Sequence, residues 1–347
     1  MQMNNLGRTG MRVSRICLGT MTFGEQNTKA EGHAQLDMAV DHGVNFIDTA
    51  EMYSFPASAE TYGCSEEIVG AWMKKPGNRK KVIIATKIVG PGARFDHIRG
   101  GKLDFSRTSI RRAVEDSLRR LQTDVIDLYQ THWPERPVNK FGLLDFPHEA
   151  PQGNWVAFDE LLDAMNEQVR AGNIRAYGVS NETPWGVMKM LELSGSRDLP
   201  RVASIQNAYS LINRMFEVGL SEIALREECG LLAYSPLSFG ALTGKYLDGG
   251  LPDGSRHKLF PDFMRYFHER AVKATAAYVA LAHDHGLDPA QMAIAYVNSR
   301  PFVTSNIIGA TTLKQLKSNL EAENLELGED VLSGIEEIHK QHANPAP

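Results

Sequence analysis

Val82-Ile83-Ile84-Ala85-Thr86-Lys87, then the segment Thr108–Leu121, then Ile126-Asp127-Leu128-Tyr129-Gln130-Thr131-His132 follow one another along the chain. The outer two are short and mostly apolar, as strands covered on both faces of a parallel sheet are. Between them Ile110, Val114, Ser117 and Leu121 recur with the period of a helix and mark its inner stripe. Arg111–Glu115–Arg119 and Arg112–Asp116–Arg120 run at four-residue spacing on its other face. Each such pair contributes about 0.2–0.5 kcal/mol, so the basic cluster reads as a solvated, salt-laced face rather than a nucleic-acid patch. The unit is strand, helix, strand.

That unit repeats in both directions. Further strands are predicted at Val13–Leu18, Asn45–Thr49, Ile174–Ser180, Ala203–Gln206, Leu231–Ser235 and Ser305–Gly309. Helical patterns fill the gaps at Glu31–His42, Ser65–Met73, Phe158–Ala171, Trp185–Leu193, Leu220–Glu228, Arg270–His285 and Pro289–Asn298. Eight strands alternating with helices predict an α/β fold, a (β/α)8 TIM barrel with long βα loops. A doubly wound sheet shows the same alternation, but its Gly-x-Gly-x-x-Gly after the first strand is missing. Gly90-Pro91-Gly92-Ala93-Arg94-Phe95 lacks the third glycine. Gly240-x-x-x-Gly244-Lys245-Tyr246 is one residue short of a P-loop and has tyrosine at the Ser/Thr position, which disfavours ATP. Trp133–Trp155 and Gly249–Tyr266 interrupt the alternation as long loops. Gly328–Gln341, with Val331, Leu332, Ile335 and Ile338 on one face, reads as a C-terminal helix docked on the core.

Composition sets the outer limits. The chain has 347 residues, 37 basic against 42 acidic, for a net charge of −5. That balance gives no nucleic-acid footprint. No apolar run is long enough to span a bilayer, and the opening residues lack the apolar core of a signal peptide, so a cytoplasmic location is expected. Cys17, Cys64 and Cys229 are scattered and never form Cys-x-x-Cys, and Cys17 reads as a small core residue. His283, His285, His339 and His342 lie near predicted helix ends, so no metal site is expected.

In a parallel barrel the reactive groups project from the C-terminal strand ends. The second strand ends Phe46-Ile47-Asp48-Thr49-Ala50 and continues Glu51-Met52-Tyr53, the third ends in Lys87, and the fourth in His132. Taken singly, Asp48 could cap a helix, His132 could be a satisfied core residue, and Lys87 could pair with any acid. Together they form a coherent set. A free phenol, with a pKa near ~10, is a poor acid at neutral pH. An ammonium beside Tyr53 favours its phenolate and lowers that value, Asp48 keeps Lys87 charged, and His132 orients a substrate oxygen. The set suits proton delivery to a carbonyl oxygen while a hydride arrives from elsewhere. A glycosidase built on Glu51 or Glu135 with Asp48 is a rival that leaves Tyr53 and Lys87 without a role.

These strand ends also resemble the tetrad signatures of the aldo-keto reductases. So do Gly178-Val179-Ser180-Asn181, Ile205-Gln206-Asn207, Tyr234-Ser235-Pro236-Leu237, Gly244-Lys245-Tyr246 and Gly309-Ala310-Thr311 followed by Gln315 and Asn319. The similarity runs from about Leu6 to the C-terminus and implies one aldo-keto reductase domain over 1–347. It is greatest to the bacterial Tas-type NADP(H)-dependent branch, which also holds the potassium-channel β subunits. The resemblance implies NADPH reduction of an aldehyde or ketone, without metal, with Tyr53 as general acid, Lys87 and Asp48 as its tuning pair, and His132 as carbonyl orienter. It implies that Asn181 and Gln206 hold the nicotinamide carboxamide, next to Ser180, and that Thr20 and Met21 lie near the nicotinamide ribose.

By the same resemblance the turn from Tyr234 through Ser235, Pro236, Leu237, Ser238, Gly240, Leu242 and Gly244 to Lys245 wraps the pyrophosphate as a belt. Gly309, Thr311, Gln315 and Asn319 would contact the adenosine end, where Thr312 can cap a helix whose Leu313, Leu316 and Leu320 face inward. Arg256 is placed like the phosphate-contacting arginine of related reductases, with one extra loop residue; Lys314 is its alternative. Phe23 and Trp133 are candidates for the substrate pocket, and the other aromatics of the 133–155 loop either join them or hold the loop down. The competing function is a redox-sensing nicotinamide-binding module acting on a protein partner, as in the channel β subunits. Those resemble Asn, not His, at the position of His132, which favours a reductase here.

Overall fold

The computed structural model describes residues 1–149 and 153–347. Strands β1 (Met3–Asn5) and β2 (Arg12–Ser14) pair antiparallel as a hairpin. Strands β3 (Ile16–Gly19), β4 (Phe46–Asp48), β5 (Ile83–Ile88), β6 (Ile126–Thr131), β7 (Ile174–Ser180), β8 (Val202–Gln206), β9 (Leu231–Tyr234) and β10 (Val303–Ile308) close a parallel barrel in chain order, with β10 returning to β3. Helices α1 (Lys29–Asp41), α2 (Cys64–Met73), α3 (Arg107–Leu121), α4 (Phe158–Arg170), α5 (Pro184–Ser196) and α6 (Leu220–Arg226) cover it. The short α7 (Arg256–Leu259) lies in the second long loop, followed by α8 (Glu269–Asp284), α9 (Pro289–Asn298), α10 (Leu313–Glu321) and α11 (Glu329–Gln341). Among the described residues no helix is long and apolar enough to cross a membrane. The barrel is the one the sequence predicts.

Local sequence explains the helix ends. Thr28 and Glu31 form a reciprocal capping box on α1, and Asp288 caps α9 with Pro289 in its first turn. Neighbouring strands approach closely at Gly178, where a Cβ would stand 2.6 Å from the Ser204 hydroxyl.

Three expectations need correction. Val13–Leu18 is two strands, broken at Arg15, whose N–H donates to Gln2 and whose guanidinium pairs with Glu323 at 2.9 Å. Leu6, Met11 and Val13 of the hairpin pack on Cys17, Phe46, Ala85, Leu128, Ala176, Ala203, Leu232 and Ile307, one residue from each barrel strand. The hairpin is therefore the floor of the barrel. Its turn is held by Gly7, at φ +52°, where a Cβ would fall 2.5 Å from the carbonyl oxygen of Ala203. Arg120 is not on the solvated face of α3. It is buried and donates to Glu66 at 2.6 Å, while Arg111–Glu115 and Arg112–Asp116 pair in solvent as expected and Arg119 turns to Asp116 instead of Glu115. Leu313 is exposed; of the three leucines of α10 only Leu316 and Leu320 are buried, Leu313 standing in the capped first turn away from the barrel.

Candidate active site

Register sets the site. Asp48 ends β4 opposite Ala85, Lys87 lies opposite Gln130, and His132 follows β6 directly. Lys87, fully buried, donates to Asp48 Oδ2 at 2.6 Å and to the Thr49 carbonyl at 2.8 Å. Its Nζ stands 5.0 Å from the centre of the Tyr53 ring. The Tyr53 ring meets His132 edge-on with centroids 5.6 Å apart. The strand ends thus bring the acid, the amine, the phenol and the imidazole together.

The electrostatics refine the expected tuning. Burial pushes the Tyr53 phenol up, and the Lys87 ammonium pulls it back without fully offsetting the loss of water. Tyr53 is therefore held as a neutral proton donor rather than poised as a phenolate. Burial also disfavours the Lys87 ammonium, but attraction to Asp48 and Tyr53 more than reverses this and holds Lys87 charged. His132 is pushed well below the ordinary histidine range, first by burial and then by Lys87, so it is neutral at neutral pH. Its buried Nδ1 has no partner among the described residues.

Around this cluster stand the other candidates. Thr20 bonds to the Asp48 carbonyl and to Ser65, and the Met21 carbonyl accepts from Phe55. Asn181 donates from Nδ2 to the His132 carbonyl at 2.9 Å and accepts the Tyr234 hydroxyl at 2.6 Å. Ser180 donates to the Gln206 carbonyl, while Gln206 Nε2 donates to Asp48 Oδ1 at 2.9 Å. Trp133 is buried against Phe95 and Phe141, and its indole N–H reaches the Pro91 carbonyl. Phe23 is instead fully buried among residues of α1 and α2, against Gly32 and beside Ile68 and Leu36. In the 133–155 loop Phe146 is exposed and Trp155 packs on Phe158; residues 150–152 of that predicted loop lie outside the described residues.

The belt turns sharply, with Ser235, Ser238, Phe239 and Gly240 all at positive φ. Pro236, Ser238 and Leu242 are buried, and Leu237 packs on the core. Lys245 folds back over Gly240, where a Cβ would meet its Nζ at 3.0 Å; the next glycine, Gly244, also has positive φ. Past the belt, the Arg256 guanidinium stacks 4.6 Å over Phe239 and donates to Gln26 across the mouth at 3.3 Å. Arg256 forms no salt bridge among the described residues, and burial lowers it to about 10. At the far side Thr312 caps α10, Thr311 donates to Gln315, and Asn319 donates to the Gly309 carbonyl. Asn27, next to Gln26, donates to the Thr311 carbonyl, which joins the two sides. Lys314 is exposed on α10.

Two acids open to a glycosidase reading are otherwise engaged. Glu51 is bound by Arg99, and Glu135 accepts the backbone N–H groups of Phe105 and Val156. Sequence reading missed Gln130, whose Nε2 donates to Asp48 Oδ1 at 3.3 Å. Its signal was the period of two that puts Leu128, Gln130 and His132 on one face of β6. Among the described residues no cluster of His, Cys, Asp and Glu could hold a metal.

Asp48, Lys87, Tyr53 and His132 thus meet at the C-terminal mouth of a closed barrel. Residues 15–340 match the family described as "Aldo/keto reductase family", and the chain belongs to that family. It is 53% identical, over the whole of both chains, to Protein tas of Escherichia coli K12. It is 32% identical to the uncharacterized oxidoreductase YrpG of Bacillus subtilis, covering 97% of this chain and 96% of that one. It is also 31% identical to a probable voltage-gated potassium channel subunit beta of Arabidopsis thaliana, covering 93% and 91%.

Proposed function

We propose that this protein reduces an aldehyde or ketone to the alcohol with NADPH. The observation that carries the reading is the Asp48–Lys87–Tyr53–His132 cluster, with a neutral phenol beside a fixed ammonium. The cofactor fits these residues. Arg256 is a half-buried cation with no acid partner among the described residues, lying over the Phe239 ring and suited to a phosphate; Lys245 lies over the belt; a Cβ at Gly309 would meet nothing within 4 Å. Asn181, Ser180, Gln206 and Tyr234 would hold the nicotinamide end, near Thr20 and Met21. Ser235, Pro236, Leu237, Ser238, Gly240, Leu242, Gly244 and Lys245 would hold the pyrophosphate. Arg256, Gly309, Thr311, Gln315 and Asn319 would hold the adenosine end. When bound, NADPH supplies the hydride.

The chain's own residues do the rest. Neutral His132 donates a hydrogen bond to the carbonyl oxygen and orients it, and Trp133 lines the approach. Tyr53 gives its proton as negative charge develops on that oxygen, and the Lys87 ammonium stabilises the phenolate left behind. Asp48, with the Gln206 and Gln130 amides on its second oxygen, holds Lys87 in place.

The test is to incubate the protein with NADPH and a panel of aldehydes and follow loss of the reduced nicotinamide absorbance. Turnover is expected. Tight NADPH binding without turnover of any carbonyl would favour the redox-sensing module instead.

A further inference from the structure

Lys87 is gripped from outside the tetrad. Glu51, fully buried between Asp48 and Tyr53 in sequence, donates its N–H to the Lys87 carbonyl at 3.2 Å. Its carboxylate accepts the N–H of Val89, two residues beyond, at 2.6 Å. Arg99 holds that carboxylate, reaching both oxygens at 2.5 Å, and donates to the Val89 carbonyl at 3.4 Å. On the other side of Lys87, the Thr86 hydroxyl donates to buried Glu66 at 2.5 Å, and Arg120 neutralises Glu66 at 2.6 Å. Tyr62 joins the two pairs: it takes a bond from Arg120 at 3.3 Å and directs its own hydroxyl toward Glu51 at 3.5 Å.

We infer that the Glu51–Arg99 and Glu66–Arg120 pairs form a clamp that positions Lys87 against Tyr53, with Glu51 as its principal positioning residue. Stability alone is a weak reason for such pairs, because well-packed apolar residues often replace buried ion pairs without loss. Position is a strong one. The Glu51 carboxylate fixes the backbone just beyond the one residue whose ammonium must stand beside the phenol, and the Glu66 carboxylate holds the side chain just before it. A displacement of about 1 Å in such a group costs roughly 10²-fold in rate. A carboxylate is suited to this task because it binds the Val89 N–H and the guanidinium at once. Burial raises the Glu51 carboxyl, and the Arg99 guanidinium is the main force against that. None of these four charged groups touches the reacting atoms.

The inference rests on Tyr53 as proton donor, so its test has one arm that needs no turnover. The Cζ resonance of Tyr53, assigned with Tyr53→Phe in isotope-enriched protein, reports the field of Lys87 at neutral pH without cofactor. Glu51→Gln, which keeps the shape and loses the charge, is expected to shift it. Arg99→Lys, which keeps the charge and loses the fork, is expected to shift it less and serves if Glu51→Gln does not fold. In the same variants kcat for carbonyl reduction should fall about 10–100-fold, while KM for NADPH changes by less than about threefold. A folded variant with an unmoved Tyr53 resonance overturns the clamp, whatever its stability. A wild-type protein that reduces no carbonyl compound overturns the proposed function instead, and leaves the resonance measurement to judge the clamp.

Discussion

Tyr53 is a phenol that the fold keeps protonated, and that shapes what its removal does. Tyr53→Phe deletes only the hydroxyl, which matters when charge develops on the substrate oxygen. It should lower kcat by about 10²–10⁴-fold with NADPH affinity near wild type, as read by steady-state rates and fluorescence titration. A variant keeping more than about a tenth of kcat would remove Tyr53 from the role. Lys87→Met should be as damaging to rate and also destabilising. Stripping a buried charge of its partner costs ~3–5 kcal/mol, and here the Gln206 and Gln130 amides that still face Asp48 favour the lower end. Urea unfolding of both proteins measures it. His132 adds a pH dependence. The unfolded chain takes up a proton near the ordinary histidine value, whereas the folded chain resists it. Stability contributed by this residue is therefore present at neutral pH and lost as pH falls below about 6.5. His132→Asn should flatten the decline of the urea midpoint between about pH 7 and 5; an identical slope in both proteins would contradict the burial argument.

At the scale of elements, the strand ends were legible because a parallel barrel puts its chemistry where apolar runs stop, and Asp48, Lys87 and His132 each follow such a run. Arg120 was not. Its four-residue spacing to Asp116 fits a solvated face, and only the packing of α2 against α3 turns it inward to Glu66. The burial of Phe23 was not legible for a similar reason, since a loop aromatic after the first strand has no periodicity to say which layer it enters. Arg256 was legible as a cation past the belt, but its stacking on Phe239 and reach to Gln26 belong to tertiary structure. Those contacts sharpen its prediction. A hydrogen bond to a charged group is worth roughly 1.5–3 kcal/mol, so Arg256→Ala should weaken NADPH by ~10–150-fold and barely touch NADH. Fluorescence titration of both cofactors against both proteins decides it, and equal loss for the two would mean that Arg256 does not read the ribose phosphate.

For the molecule as a whole, the hairpin is the part whose role sequence could not supply. Val13–Leu18 reads in the sequence as one strand, yet the closed barrel needs its open lower end filled, and Leu6, Met11 and Val13 fill it. Leu6→Ala should cost about 2–5 kcal/mol by leaving a cavity under the strands. The loss would appear in the urea midpoint, with NADPH affinity of the folded protein unchanged; a midpoint equal to wild type would mean the hairpin is only draped on the barrel. The same floor bears on proton traffic. With the lower end closed by side chains, the upper mouth is left as the way in to Asp48, Lys87 and Tyr53. Under the proposed reaction, substrate and the proton that recharges the phenol would then share one entrance.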